Sequence, residues 1–214
     1  MDEEISIIKQ STRREHIKNL FIKNKNKIFF LFGLILLGVF LIFLYLDHAK
    51  NKKIDLSNKF IKFTQNYNVQ EKSYYVEQFV EIIETNDSTY APLALFFLID
   101  NNVFEKNEEI NHLFDKIINE VNLETEIKNL IIYKKALFNF DYQTENEMLE
   151  ILKPLINSDS FWKPHSLLLL GDYFLSKGEN KKAADFYNQI LISPEANKSI
   201  LTQAQSRIRE NFSE

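Results

Sequence analysis

Apolar residues recur at helical spacing along most of the chain beyond residue 55. One stripe consists of Leu56, Phe60, Phe63 and Tyr67. Its members are three or four positions apart, the spacing that places side chains on one face of a helix. No segment alternates apolar and polar residues as a half-buried strand does. The pattern predicts helices over residues 56–67, 75–82, 90–101, 108–121, 124–140, 144–156, 164–177, 180–192 and 197–212.

Capping and helix-breaking residues separate these predicted helices. A Thr/Ser/Asp cluster before Tyr90 is suited to capping, and Pro92 then falls in a first turn, where proline is tolerated. Asn101 and Asn102 close the same helix. Pro154 is expected to kink or end its helix, because it lacks a backbone N–H and its ring clashes with the preceding turn.

The most apolar part of the chain lies near its beginning. Residues 28–46 (IFFLFGLILLGVFLIFLYL) contain no charge. As a helix these 19 residues would extend roughly 28 Å, close to the thickness of a bilayer's hydrocarbon core. A cleaved signal peptide would have a shorter apolar core followed by a small-residue cleavage site, and a buried core helix would have a polar side. Residues 28–46 have neither feature, so we interpret them as a transmembrane helix.

Charge on either side of this span predicts its orientation. The twenty residues before it hold seven Lys/Arg and the twenty after it hold five, which favours a cytoplasmic N-terminus. The predicted organisation is a basic cytoplasmic segment (1–27), a single transmembrane helix (28–46) in a bacterial inner membrane, and a periplasmic domain (47–214). Residues 1–27 have a net charge of +3. Since the whole chain has a net charge of −4, the remaining residues have a net charge of −7. An acidic folded part argues against a nucleic-acid partner.

Composition favours helices and offers few chemical groups for catalysis. Gly and Pro number four each, and there is no Cys, which excludes disulfides and thiolate sites. The four histidines show no metal-ligand spacing, no Gly-x-Ser-x-Gly elbow is present, and no glycine remains for a phosphate loop. The carboxylate runs are typical of solvated helix faces. Phe161 and Trp162 could stack on a ligand, but packing between hairpins is the better interpretation. We therefore predict no enzyme, cofactor or metal.

Nine short helices predict an all-α fold of about four helical hairpins and a C-terminal capping helix, stacked because one hairpin cannot bury its own apolar face. Residues 164–197 resemble a tetratricopeptide repeat, with a generic hairpin as the alternative. Its signature positions are Leu170, Gly171, Phe174, Gly178, Ala183, Tyr187 and Pro194. In such a repeat His165, Leu168, Asp172 and Leu175 would face a concave groove. This set contains no Lys, Arg or Asn clamp for a terminal carboxylate, so it is better suited to an unfolded segment, a partner helix or a second copy.

A wider resemblance covers nearly the whole chain through short motifs. It rests on Arg13-Arg14-Glu15 before the span, Leu152-Lys153-Pro154-Leu155, Phe161-Trp162-Lys163-Pro164, the run from Leu170-Gly171 to Ile190, and residues 201–208. With the basic N-terminus and single span, these motifs resemble the YfgM-like family of ancillary SecYEG translocon subunits. Residues 56–121 depart most from that pattern, since only Ala91 and Ala94 match the family's alanine-rich helices.

The resemblance implies a membrane-tethered adaptor at the exit side of the Sec translocon, with Sec subunits and a periplasmic chaperone as partners. It implies no catalytic residue. A related branch of the repeat family coordinates cell-envelope construction during division. The second hypothesis is therefore a structural organiser of cell-envelope or division complexes that assembles as a homo-oligomer. An enzyme with an unrecognised site is the third.

Overall fold

A computed structural model describes the backbone of residues 2–104 and 106–212, and the side chains of 24–27, 29–104 and 106–212. Over this part of the chain the fold is all-helical, with no strand, which confirms the all-α part of the predicted fold. The α-helices are α1 (Asp2–Gln65), α2 (Lys72–Glu84), α3 (Tyr90–Asp100), α4 (Asn107–Glu120), α5 (Thr125–Phe138), α6 (Glu145–Ile156), α7 (Lys163–Ser176), α8 (Asn180–Leu191) and α9 (Lys198–Phe212). A single 3₁₀ turn, Val69–Glu71, precedes α2.

The first helix joins two segments that the sequence pattern separates. It runs without a break from the apolar stretch through the predicted first soluble helix, which therefore begins earlier than expected. Residues 47–55 contain no Gly or Pro to interrupt it, and Asn51 donates a side-chain hydrogen bond of 3.2 Å to Asp47 one turn earlier. Within its described part, α1 is long and apolar enough to cross a membrane.

The chain divides into two compact units between Ser57 and Asn58. The predicted domain boundary at residue 47 thus lies inside α1. In the second unit each helix from α2 to α9 packs against the next one along the chain, and α7 also packs against α9. This second unit contains the candidate binding residues.

Helices α2–α9 lie within three residues of their predicted bounds. At the start of α3, Asp87 Oδ1 accepts hydrogen bonds of 2.8 Å from the N–H groups of Thr89 and Tyr90. At its end, Asn102 adopts a left-handed conformation with φ of 47°. Pro154 lies in the last turn of α6, which ends two residues later.

Aromatic side chains dominate the core near α2 and α3. Phe79 is fully buried and stacks on Phe97 with 4.4 Å between ring centres, while Phe60 and Phe63 meet it edge-on.

Between α4 and α5 the contact includes a polar pair. The side-chain amides of Asn111 and fully buried Asn139 exchange hydrogen bonds of 2.9 and 2.7 Å, which satisfies polar groups that sequence periodicity alone did not identify.

Candidate binding surface

The α7–α8 hairpin contains a close approach that only glycine permits. Gly171 on α7 faces the ring of Tyr187 on α8. A Cβ added at Gly171 would come within 2.7 Å of Tyr187 Cδ1 and 2.9 Å of Cζ, closer than real Cβ contacts. The predicted pairing of a small residue on the first helix with a large one on the second is therefore present in the structure.

The turn between α7 and α8 also follows the sequence interpretation. Gly178 has a φ of +77°, the left-handed region that favours glycine. The N–H of Gly178 donates to Leu175 O at 3.0 Å, and the N–H of Glu179 donates to Phe174 O at 2.9 Å. These two bonds form a Schellman motif that satisfies the last carbonyls of α7. After α8 ends at Leu191, Pro194 lies in the following turn.

The remaining signature residues are core residues. Leu170, Phe174 and Ala183 are buried, and Phe174 stacks on Phe186 of α8 at 5.4 Å with nearly parallel rings. All seven signature positions therefore lie at the hairpin's internal contact or its turns. Their positions are those of residues that stabilise the hairpin.

The four predicted groove residues share one property: His165, Leu168, Asp172 and Leu175 are each half-buried on α7. Leu168 and Leu175 pack partly against the C-terminal hydrophobic core. This intermediate exposure places the set at the edge of the core.

The carboxylate of Asp172 is engaged by two neighbouring helices. Its Oδ1 accepts a 2.7 Å hydrogen bond from the Tyr187 hydroxyl on α8 and a 2.8 Å bond from Arg207 Nε on α9. Burial, and then the bond to Asp172, raises the pKa of Tyr187, while the bond to Asp172 raises the pKa of Arg207. Asp172 thus has a structural role that its sequence position did not reveal.

His165 belongs to an aromatic cluster with Tyr133, Phe161 and Trp162. The Trp162 ring lies 5.3 Å from both the Tyr133 and His165 rings, and Phe161 lies 4.9 Å from His165. Burial, followed by the charge of Asp172, raises the pKa of Tyr133. Trp162 packs against the core, whereas Phe161 remains 52% exposed. Packing between α5 and α7 is therefore the main role of this cluster.

A cleft between α3 and α5 was not predicted. Its volume is about 420 Å³, and Leu93 and Ile127 are 41% and 42% exposed. The lining consists of Ser88, Thr89, Pro92, Leu93, Phe96, Asn122, Leu123, Glu124 and Ile127. The available sequence signal was the composition of α3 (YAPLALFFLID), which is apolar on nearly every side and so exceeds what one buried face requires.

Other surface depressions of the second unit are bordered by several charged side chains. One of about 550 Å³ between α4 and α6 is bordered by Glu108, His112, Asp115, Glu147 and Lys135 among others. Among the described residues, no group of three or more His, Asp or Glu side chains is arranged to hold a metal ion. The α3–α5 cleft has one charged lining residue, Glu124, and is therefore the least charged of the depressions described in the second unit.

Comparison with known proteins adds no relative. No family model, curated protein or solved structure matches the chain.

Proposed function

We propose that the protein is a membrane-tethered, protein-binding adaptor whose second unit is a stack of tetratricopeptide-like hairpins. The regular spacing of its helices carries this proposal. Helices α3, α5, α7 and α9 begin at residues 90, 125, 163 and 198, at intervals of 35, 38 and 35. Helices α2, α4, α6 and α8 begin at residues 72, 107, 145 and 180, with the same intervals. The tetratricopeptide unit has about 34 residues.

Ion pairs between next-but-one helices support the same arrangement, because stacked hairpins bring each helix beside its counterpart in the next hairpin. Lys116 of α4 lies 2.9 Å from Glu84 of α2. Lys182 of α8 lies 2.7 Å from Glu145 of α6, and Arg207 of α9 contacts Asp172 of α7. Stacks of this kind act by presenting an extended surface to other proteins.

The proposed tether is α1, which crosses the bacterial inner membrane at residues 28–46 with residues 1–27 in the cytoplasm. The apolar composition of the span and its flanking charge support this topology. Since the chain has no Cys, a single introduced cysteine can report on which side of the membrane its position lies. In intact spheroplasts, Ser199→Cys should react with a membrane-impermeant maleimide, while Asn26→Cys should react only after lysis. The reverse pattern, or equal labelling of both, would contradict this topology.

The partners follow from the family resemblance: Sec translocon subunits and a periplasmic chaperone, with the adaptor helping to handle exported proteins. The test is crosslinking in intact membranes, followed by affinity capture of the full-length protein in mild detergent. Recovery of Sec subunits or a chaperone is the expected result. Recovery of division or wall-synthesis proteins would favour the organiser, and recovery of no protein would contradict the adaptor function.

A further inference from the structure

The α3–α5 cleft differs from the two later spaces between equivalent helices. Between α5 and α7, Tyr133 packs on Trp162, and Asn129 donates a 2.9 Å hydrogen bond to Ser160. Between α7 and α9, Arg207 binds Asp172 at 2.8 Å. Between α3 and α5 a cleft of about 420 Å³ remains, within the usual range for a binding cavity.

The lining of the cleft is shaped for an apolar helix face. Leu93 and Phe96 are one turn apart on α3, while Leu123 lies in the loop before α5 and Ile127 in the first turn of α5. Apolar side chains on both sides of a cleft form the kind of groove in which an amphipathic helix inserts residues spaced at i, i+3 and i+4. Covering Leu93 and Ile127 would remove apolar surface from water, which favours association.

The net charge of this region indicates the charge expected of its partner. Residues 71–150 contain seventeen Asp/Glu and six Lys/Arg, a net charge of −11, whereas residues 151–214 contain seven acidic and eight basic residues. At the cleft itself Glu124 is the charged residue among those that form the lining. Lys134 lies over the Phe96 ring, 5.7 Å from its centre, and places a positive charge there. The acidic end of the cleft is the one that contains Ser88, Thr89 and Glu124, because Glu124 carries a negative charge.

We propose that this cleft binds a basic amphipathic helix of a partner protein. Apolar residues of that helix occupy the space between Leu93 and Ile127, and its Lys or Arg side chains meet the acidic end at Glu124. Complementary charge steers such a partner to the surface and disfavours acidic segments. The inference rests on the proposed adaptor function and specifies its ligand class.

The test uses the full-length protein in nanodiscs of phosphatidylcholine, with empty nanodiscs as the blank. The probe is a fluorescent peptide of Leu and Lys whose leucines recur at helical spacing, and its matched control has Glu in place of every Lys. Fluorescence anisotropy should show binding of the basic peptide above the blank, and binding of the acidic peptide at least about tenfold weaker. Raising the salt concentration should weaken the basic peptide's binding.

Variants locate the site. Leu93→Gln and, independently, Glu124→Lys on the exposed acidic end should each weaken binding of the basic peptide about tenfold or more. Ile192→Gln is the matched control, because Ile192 is an 83% exposed apolar residue at the end of α8. Equal binding of the two peptides, unchanged binding in both cleft variants, or a crosslink from the cleft to a second copy of the chain would overturn the proposal.

The same variants separate this inference from the proposed function. If affinity capture recovers a partner equally from wild type and from Leu93→Gln, the cleft proposal fails and the adaptor survives. If capture recovers no partner from wild type, the adaptor function fails whatever the peptide does.

Discussion

The α7–α9 end of the second unit and its α3–α5 region consist of helices of similar length. They differ in how completely the apolar side chains of neighbouring helices pack against one another. At the α7–α9 end, Gly171 admits the Tyr187 ring, and Asp172 links α8 and α9 through Tyr187 and Arg207. In the α3–α5 region, apolar side chains line a cleft and stay partly exposed. The first region is therefore closely packed internally, while the second leaves apolar surface exposed.

The two regions also differ in how closely they follow a repeat signature. Residues 164–197 resemble the tetratricopeptide signature, whereas residues 56–121 depart most from the wider family resemblance, with only Ala91 and Ala94 matching its alanine-rich helices. Signature residues describe contacts between the helices of one hairpin. Departure from the signature coincides here with the acidic, incompletely filled part of the unit. The close contacts of residues 164–197 stabilise their hairpin, and the exposed apolar side chains of the α3–α5 region form the surface on which the proposed recognition depends.

Among the three substitutions that test this comparison, the largest expected effect is at Gly171. Gly171→Ala should lower the free energy of unfolding by about 1–3 kcal/mol, because the added methyl group overpacks against a buried ring that is held by its hydrogen bond to Asp172. Urea unfolding of the full-length protein in mild detergent, followed by far-ultraviolet circular dichroism, measures the change. Gly38→Ala is the control, since no atom lies within 4 Å of a Cβ there. Equal stability of the two variants would show that α7 and α8 are less closely packed than described.

An intermediate effect is expected at the α7–α9 ion pair. Arg207→Gln should cost about 1 kcal/mol or less, because the Arg207 and Asp172 side chains are 41% and 31% exposed and solvent weakens their attraction. The neighbouring exposed Arg209→Gln provides the matched control on the same helix. The difference between their urea midpoints should shrink at high salt. A larger loss in Arg209→Gln would place the stabilising contact elsewhere on α9.

The smallest expected effect is at the cleft. Leu93→Gln should change the free energy of unfolding by no more than about 0.5 kcal/mol, because the Leu93 side chain is partly exposed and contributes little to the hydrophobic core. On the same helix, Leu95→Ala removes a fully buried side chain and should cost about 2–5 kcal/mol. The same unfolding measurement compares the two. A large loss in Leu93→Gln would mean that the cleft residues serve folding rather than binding.

Sequence periodicity predicted the helices of the second unit well because their ends carry local signals. Asp87 caps α3, Asn102 and Gly178 take left-handed conformations, and Gly171 marks the close contact with Tyr187. These signals act within a few residues or within one hairpin. Helix α1 extends through residues 47–55, which the periodicity did not assign to a helix, because these residues contain no Gly or Pro to interrupt it.

Features that depend on distant residues were not predictable in this way. Asp172 occupies a position expected to face a groove, but its partner Arg207 lies 35 residues away. The buried Asn111–Asn139 pair spans 28 residues. The cleft escaped prediction because Leu93 and Ile127 are apolar at helical spacing, as core residues are. Periodicity identifies an apolar face without showing whether the chain itself covers that face.

The most direct measurement is photocrosslinking from two apolar surface positions of the full-length protein in its native membrane. A benzophenone amino acid replaces Leu93 in the cleft or, as the control, Ile192 at the end of α8. The account predicts a specific adduct with another protein from Leu93 and none from Ile192, with mass spectrometry placing the crosslinked peptide in a basic amphipathic helix. No protein adduct from Leu93, or identical adducts from both positions, would contradict it.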